Sequence, residues 1–341
     1  MGWEYYGLTL AIYLGVNTMA CWSLDLQFGT VGVLNFGFIM FQAAGAYTAA
    51  LLTVGPDTPL SGQFYFFGTS MPWPLPWLIA AAVGALLALV TGVFVMGPKR
   101  RDYQAIAMLV VAVGLYTVVS NSPRLLNGTA GIANIPRPFA SLNFSRTGYA
   151  WLYLGITAVV LAGVGLLVVR IRRSPWGRNL KAIRENRLAA AAFGLNVRRE
   201  TLKVYVIGGA IAALSGAVLV QFISAWSPTS WAFAETFVYL TAIVVGGAGS
   251  TIGVSLGTFV VLTVIVEGVT FFPGFTTGTT VAAYQWIAIS CLTIAFLWFR
   301  PKGLIPERRR RFPTQPSPVS AQAPLPGALA LVGRRDGIDD S

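Results

Sequence analysis

The chain has no histidine, and only 11% of its 341 residues are charged. The first absence removes the side chain that most often serves as general base or metal ligand near neutral pH. The second excludes an ordinary soluble domain, in which about a quarter of the residues are Asp, Glu, Lys or Arg. Cysteine is nearly missing too. Cys21 and Cys291 both sit in apolar stretches, so the spacing contains neither a disulfide framework nor a thiolate metal site. Acids number 12 against 24 basic residues. Asp25, Glu235 and Glu267, the acids nearest the apolar runs, fall at the ends of expected spans. An ion-coupled carrier ordinarily buries acids or histidines in mid-span as relays. The run Gly246-Gly247-Ala248-Gly249-Ser250 lacks the lysine that a nucleotide-cradling loop requires. The chain therefore reads as a non-enzyme that needs no cofactor, and any energy it uses comes from another polypeptide.

What is present is hydrophobicity: 55% of residues are apolar and the mean hydropathy is +0.67. This predicts an all-α integral membrane protein, a polytopic helical bundle of about eight or nine membrane segments. Spans are expected at residues 5–24, 28–54, 78–96, 103–119, 150–169, 204–223, 237–266 and 284–298. The long 237–266 stretch is interrupted at Gly246, Gly247 and Gly249, which predicts a glycine elbow between two half-length helices. Gly253 and Gly257 then make the second half a close-packing helix. Asn35 and Gln42 are seven apart and are expected on one face of a 28–54 helix. There they act either as glue between helices or as a polar spot on a solute path. The N-terminal MGWEYYG lacks the basic region of a cleaved signal peptide, so the first apolar segment is expected to remain as a span. Trp73, Trp77, Trp151, Trp226 and Trp231 all fall at the expected outer boundary.

Residues 172–203 carry nine basic side chains and two acids, a surplus of seven in a chain of net charge +12. Apolar segments flank the stretch, so orientation in the membrane explains the charge better than nucleic acid does, and no nucleic-acid partner is expected. The positive-inside rule puts it in the cytoplasm, together with residues 98–103 and 300–311, which makes the C-terminus cytoplasmic. Residues 237–266 must then enter and leave from one side, and the N-terminus is external. Within the loop, residues 178–195 predict one short helix with an apolar stripe of Leu180, Ile183, Leu188, Ala191, Ala192 and Leu195. Pro175 opens it and Gly194 or Asn196 stops it. Such a helix lies on anionic membrane lipid or sits in a partner's groove. Residues 1–305 thus form a transmembrane domain, and 306–341 a basic, Pro-rich tail that reads as disordered.

The segment GRNLKAIRENRLAAAAFGLNVRRETLKVYVIGGAIAALSGAVL resembles the cytoplasmic loop of permease subunits in branched-chain amino-acid ABC importers. GVLNFGFIMFQAAGAYTAA, GTAGIANIPRP, IVVGGAGSTIGVSLG and RPKGLI follow in that family's order, and the likeness runs from residue 24 to 305. The resemblance implies a permease that pairs with a second permease subunit, a paralogue, above two ATP-binding subunits. An external solute-binding protein delivers the solute, and the complex sits in a bacterial-type inner membrane. It also implies an ATPase-coupling loop of Arg184, Glu185, Ala189, Ala190 and Gly194, with the arginines at the rim of the contact. Ala191 stands where the family often has an acid, and the tail beyond Glu307 is longer than the family needs. Branched-chain amino acids are the implied solute and urea or short amides the alternative. A stand-alone facilitator or channel, and an integral-membrane enzyme, are the competing classes.

Overall fold

The computed structural model describes residues 2–56, 63–96, 101–142, 144–266 and 278–307. Where water is absent each backbone N–H and C=O must find a partner within the chain, and the apolar runs accordingly wind into helices. Helix α1 (Trp3–Asp25) continues as a π-helical stretch, Leu26–Val31, and together they form a first span of 29 residues. There follow α2 (Ile39–Thr53), α3 (Leu75–Val95), α4 (Arg101–Ser120), the short α5 (Pro123–Leu126) and α6 (Arg146–Arg173). In the basic stretch lie α7 (Pro175–Glu185) and α8 (Arg187–Ala192). The last four are α9 (Val197–Ile223), α10 (Ala234–Gly246), α11 (Thr251–Thr258), which runs on π-helically to Ile265, and α12 (Gly278–Phe299). Six helices are long and apolar enough to cross a membrane by length and composition, and three shorter apolar helices bring the membrane segments to nine among the described residues. Strands β1 (Ile132–Ala133) and β2 (Ala225–Trp226) pair antiparallel. With the bond from Ile135 N–H to the Ser224 carbonyl (3.0 Å), they tie the GTAGIANIPRP segment to the α9–α10 connection.

The core is built on α9. Its small residues receive α2 on one side and α3 on another: Gly45 and Gly84 both pack against Ala213, and Gly216 fits under the Gln42 carbonyl. A methyl group at Gly45 or Gly216 would overlap a backbone oxygen of the neighbouring helix. Lipid tails are as apolar as leucine, so this close approach, through dispersion, supplies association that the hydrophobic effect cannot. Helices α1 and α6 run parallel. At one end the Trp151 indole donates to Glu4 (3.2 Å) and the Arg146 guanidinium covers the Tyr5 ring at 4.9 Å. At the other end Arg172 pairs with Asp25. The start of α1 therefore lies at the opposite end of that helix pair from α7. The elbow forms as expected: α10 and α11 fold back on each other with Gly246 against Gly253 and Gly257 against the Ala242 carbonyl.

Three expectations change. Residues 28–54 are not one helix: Gly32 turns left-handed (φ +74°), and residues 32–38 cross the interior without helical structure. Asn35 lies in that break and Gln42 in α2, so they do not share a helix face. Residues 178–195 form two helices, because Asn186 (φ −149°, ψ 105°) leaves the helical region and its side-chain oxygen accepts from Leu188 N–H and Ala189 N–H, both at 3.0 Å. A short amide that competes for backbone donors restarts the helix instead of continuing it. Helices α6 and α9 also run into the basic stretch, so only residues 174–196 lie between them. Of the tryptophans expected at the outer boundary, Trp77, Trp226 and Trp231 are buried and Trp73 and Trp151 are exposed. Residues 98–100, Glu267 and the 308–341 tail lie outside the described residues.

Gly45→Val and Gly216→Val are each expected to destabilise the protein by about 1–3 kcal/mol through overpacking, read as a lower thermal midpoint in detergent. Gly163→Ala, where nothing lies within 4 Å of the added carbon, should lose nothing.

Candidate functional site

Asp25 is fully buried (0% exposed) at the end of α1. A carboxylate out of water needs partners for both oxygens. Arg172, from the last turn of α6, pairs with Oδ2, and the backbone N–H of Gly249 in the elbow donates to Oδ1 at 2.9 Å. Arg172 also donates to Thr251 Oγ1 (2.9 Å), at the start of α11. The Trp22 indole reaches the Thr251 carbonyl (3.0 Å) and Ser255 (3.1 Å). The ends of α1 and α6 and the elbow between α10 and α11 thus converge on one acid.

Helix α7 meets this cluster with its inner face. Ser174 caps it, its hydroxyl oxygen accepting from Gly177 N–H at 3.1 Å, and Pro175 opens it. Leu180 and Ile183 are buried. Arg184, on the same helix, donates to the Gly29 carbonyl in the π-helical stretch and to Glu307 Oε2 (2.7 Å). Lys181, one turn earlier, reaches Glu307 Oε1 at 2.5 Å. Glu307 ends a segment that leaves α12, turns at Gly303 (φ +72°) and crosses the elbow. Leu304 N–H donates to the Val245 carbonyl (2.8 Å) and Ile305 N–H to that of Gly246 (3.1 Å). These amides satisfy carbonyls that the end of α10 would otherwise leave open. The elbow glycines acquire a reason: Gly247 and Gly249 have φ of +108° and +87°, and a side chain on either would strike residues 302–307. Burial raises the Glu307 pKa, but the bonds and charges of Lys181 and Arg184 outweigh it and hold the carboxyl below its ordinary 4.5.

The outer face is different in kind. Glu185, Leu188, Ala189, Ala191, Ala192, Phe193 and Gly194 are exposed, Leu188 at 85% and Phe193 at 88%. Gly194 (φ +84°) closes α8, donating its N–H to the Ala191 carbonyl at 2.9 Å, and open space surrounds its missing side chain. One reading is corrected here. Leu188 does not share the buried stripe of Leu180 and Ile183, because the Asn186 break turns α8 away from α7. Arg184 is partly exposed and is bonded to a carbonyl and a carboxylate of its own chain. Of the other predicted loop residues, Glu185, Ala189 and Gly194 face out and Ala190 is buried.

Asn35 and Gln42 are buried among helices. The Asn35 amide donates to Gln27 Oε1 (2.8 Å) and its oxygen accepts from Gly37 N–H (3.1 Å), while Gln42 Oε1 accepts from the Tyr239 hydroxyl (3.1 Å). Among the described residues the amide nitrogens of Gln27 and Gln42 have no hydrogen-bond partner.

Nine apolar helical segments among the described residues, with a charged cluster at the end of α1 and α6, fit a multi-pass membrane protein. The chain belongs to the family described as branched-chain amino acid transport system / permease component, which it matches over residues 6–297. It is 30% identical to the high-affinity branched-chain amino acid transport system permease protein LivM of Escherichia coli K12, over 84% of this chain and 67% of the relative. It is 28% identical to the fructose import permease protein FrcC of Rhizobium meliloti (74% and 72%). With the permease protein LivH of Escherichia coli K12 it shares 29% identity (68% and 75%). No solved structure matches. The family is a transporter's permease component rather than an enzyme.

Asp25→Ala should cost about 3–5 kcal/mol, because it strands a buried arginine; Asp25→Leu with Arg172→Met should recover most of that loss in a thermal or denaturant midpoint. The stability that wild type holds over Glu307→Gln should be fully present above pH 4.5 and disappear as pH falls through the depressed Glu307 value, since a lowered folded-state pKa stabilises only while the group is ionised.

Proposed function

We propose that the chain is the membrane-spanning subunit of an ATP-driven ABC importer of a bacterial-type inner membrane, translocating branched-chain amino acids. The observation that carries the reading is the asymmetry of residues 175–194. Their inner face is braced by Leu180, Ile183, Lys181 and Arg184, while Leu188 and Phe193 stand out from the protein on a short capped helix. Two exposed apolar anchors on a rigid base fit the groove of a separate ATP-binding subunit, two of which would serve one importer. ATP closes that pair, and the docked loops shift the spans between inward-open and outward-open states. Similarity to both LivM and LivH supports a second, paralogous permease subunit as partner. An external solute-binding protein hands over the solute, and the basic loop and C-terminus face the cytoplasm by the positive-inside rule.

Branched-chain amino acids follow from the relatives' names; the fructose permease among them makes a sugar the second reading, and urea or short amides remain a third solute to assay. Asn35 and Gln42 would meet solute only in a state where α2 and α10 part. Uptake left intact by Asn35→Ala with Gln42→Ala would remove them from the path.

Co-purification tests the docking. Wild type should retain an ATP-binding subunit in detergent, and Leu188→Glu with Phe193→Glu should lose it at an unchanged thermal midpoint. Retention by the variant would return the helix to the lipid surface. Failure of wild type to hold any ATPase would favour a stand-alone facilitator. In proteoliposomes carrying the whole importer, leucine, and not fructose or urea, should compete with labelled leucine.

A further inference from the structure

We propose that residues 300–307 form a strap that transmits movement of α7 to the α10–α11 elbow, with Glu307 as the positioning residue that closes it. The inference rests on the importer reading above, since it says how work done at the docking loop reaches the spans.

The strap is attached at two kinds of point. At its far end one carboxylate receives both Lys181 and Arg184, three residues apart on the inner face of α7. Nearer α12, Leu304 N–H and Ile305 N–H are bonded to the last carbonyls of α10. Between these points the backbone lies directly on Gly247, with no room for a side chain on the glycine. A second route reaches the same joint. Arg184 also holds the Gly29 carbonyl, four residues beyond Asp25, and Asp25 holds the Gly249 N–H. Displacement of α7 therefore drags the elbow along both routes or breaks charge-assisted bonds, of which that of Arg184 is the better shielded from water and that of Lys181 is half-exposed. Bonds of that kind are stronger than surface ion pairs.

The elbow is where such a pull has effect. Gly247 and Gly249 occupy backbone conformations open to glycine at little cost, so this joint can change its angle while α10 and α11 stay helical. The other attachments lead elsewhere. Ser174 donates to the Ile171 carbonyl at the end of α6, Trp176 donates to Glu200 in α9 (2.5 Å) and Asn196 caps α9, and none of these reaches α10 or α11.

The test uses the complete importer in proteoliposomes, with uptake and ATP hydrolysis measured together. Glu307→Gln, and independently the milder Lys181→Gln, should leave hydrolysis running while solute taken up per ATP falls, about tenfold for Glu307→Gln. In a Cys291→Ser background, Lys181→Cys with Glu307→Cys should be uncoupled likewise and recover when a short bis-maleimide joins the two cysteines. Uptake per ATP equal to wild type in Glu307→Gln, or no recovery on cross-linking, would overturn the strap. The isolated subunit supplies a readout free of the ATPase: backbone amides of Gly249, Leu304 and Ile305 should exchange hydrogen faster in Glu307→Gln. If the wild-type importer shows no ATP-dependent uptake, the importer reading falls, and unchanged exchange at those amides separately disposes of the strap.

Discussion

The rest of the structure depends on one constraint: inside a membrane the chain must meet its own polar groups. Helices satisfy it wherever the backbone is regular, and the informative places are those where it is not. Between α1 and α2 the opened backbone is met by Asn35, whose oxygen accepts from Gly37, and by Thr236, whose hydroxyl accepts from Ile39 N–H at 3.3 Å. At the elbow the free carbonyls of α10 are met by amides from residues 304 and 305. The buried Asp25 is met by a guanidinium and a peptide N–H. Apart from the local Asn35–Gly37 bond, these repairs come from segments distant in sequence, so they are also long-range ties of the fold.

The same economy gives α7 and α8 their division of labour. Had residues 175–195 been one continuous amphipathic helix, a single apolar stripe would have faced a single environment. The Asn186 cap splits it, and α7 can be anchored inward while α8 presents Leu188 and Phe193 outward. The small residues of α9 do comparable work in the core, where Gly216 and Ala213 let α2 approach until backbones touch.

Much of this was legible in the sequence, and the failures are instructive. Long apolar runs identify spans because composition alone decides burial in lipid, and the glycine run identified the elbow because nothing else tolerates that backbone. The Gly32 break was hidden, since one glycine in an apolar run does not announce a left-handed turn. Asn186 was read through because its neighbours are strong helix formers and its cap depends on local geometry. The charge cluster was invisible as a cluster. Asp25, Arg172, Lys181 and Glu307 are spread over most of the chain, and only three-dimensional packing joins them. A hint existed: Asp25 is an acid at the end of an apolar span, and such a group requires a cation that its neighbours in sequence do not supply.

The strap also orders events in time. Translation delivers residues 304 and 305 only after α12 has been made, so α10 leaves the ribosome with carbonyls that its own neighbourhood cannot satisfy. The elbow stays an unfinished joint until residues 304 and 305 follow α12 out of the ribosome. Quality control that samples unmet backbone in the membrane would therefore find this chain immature until those two amides arrive.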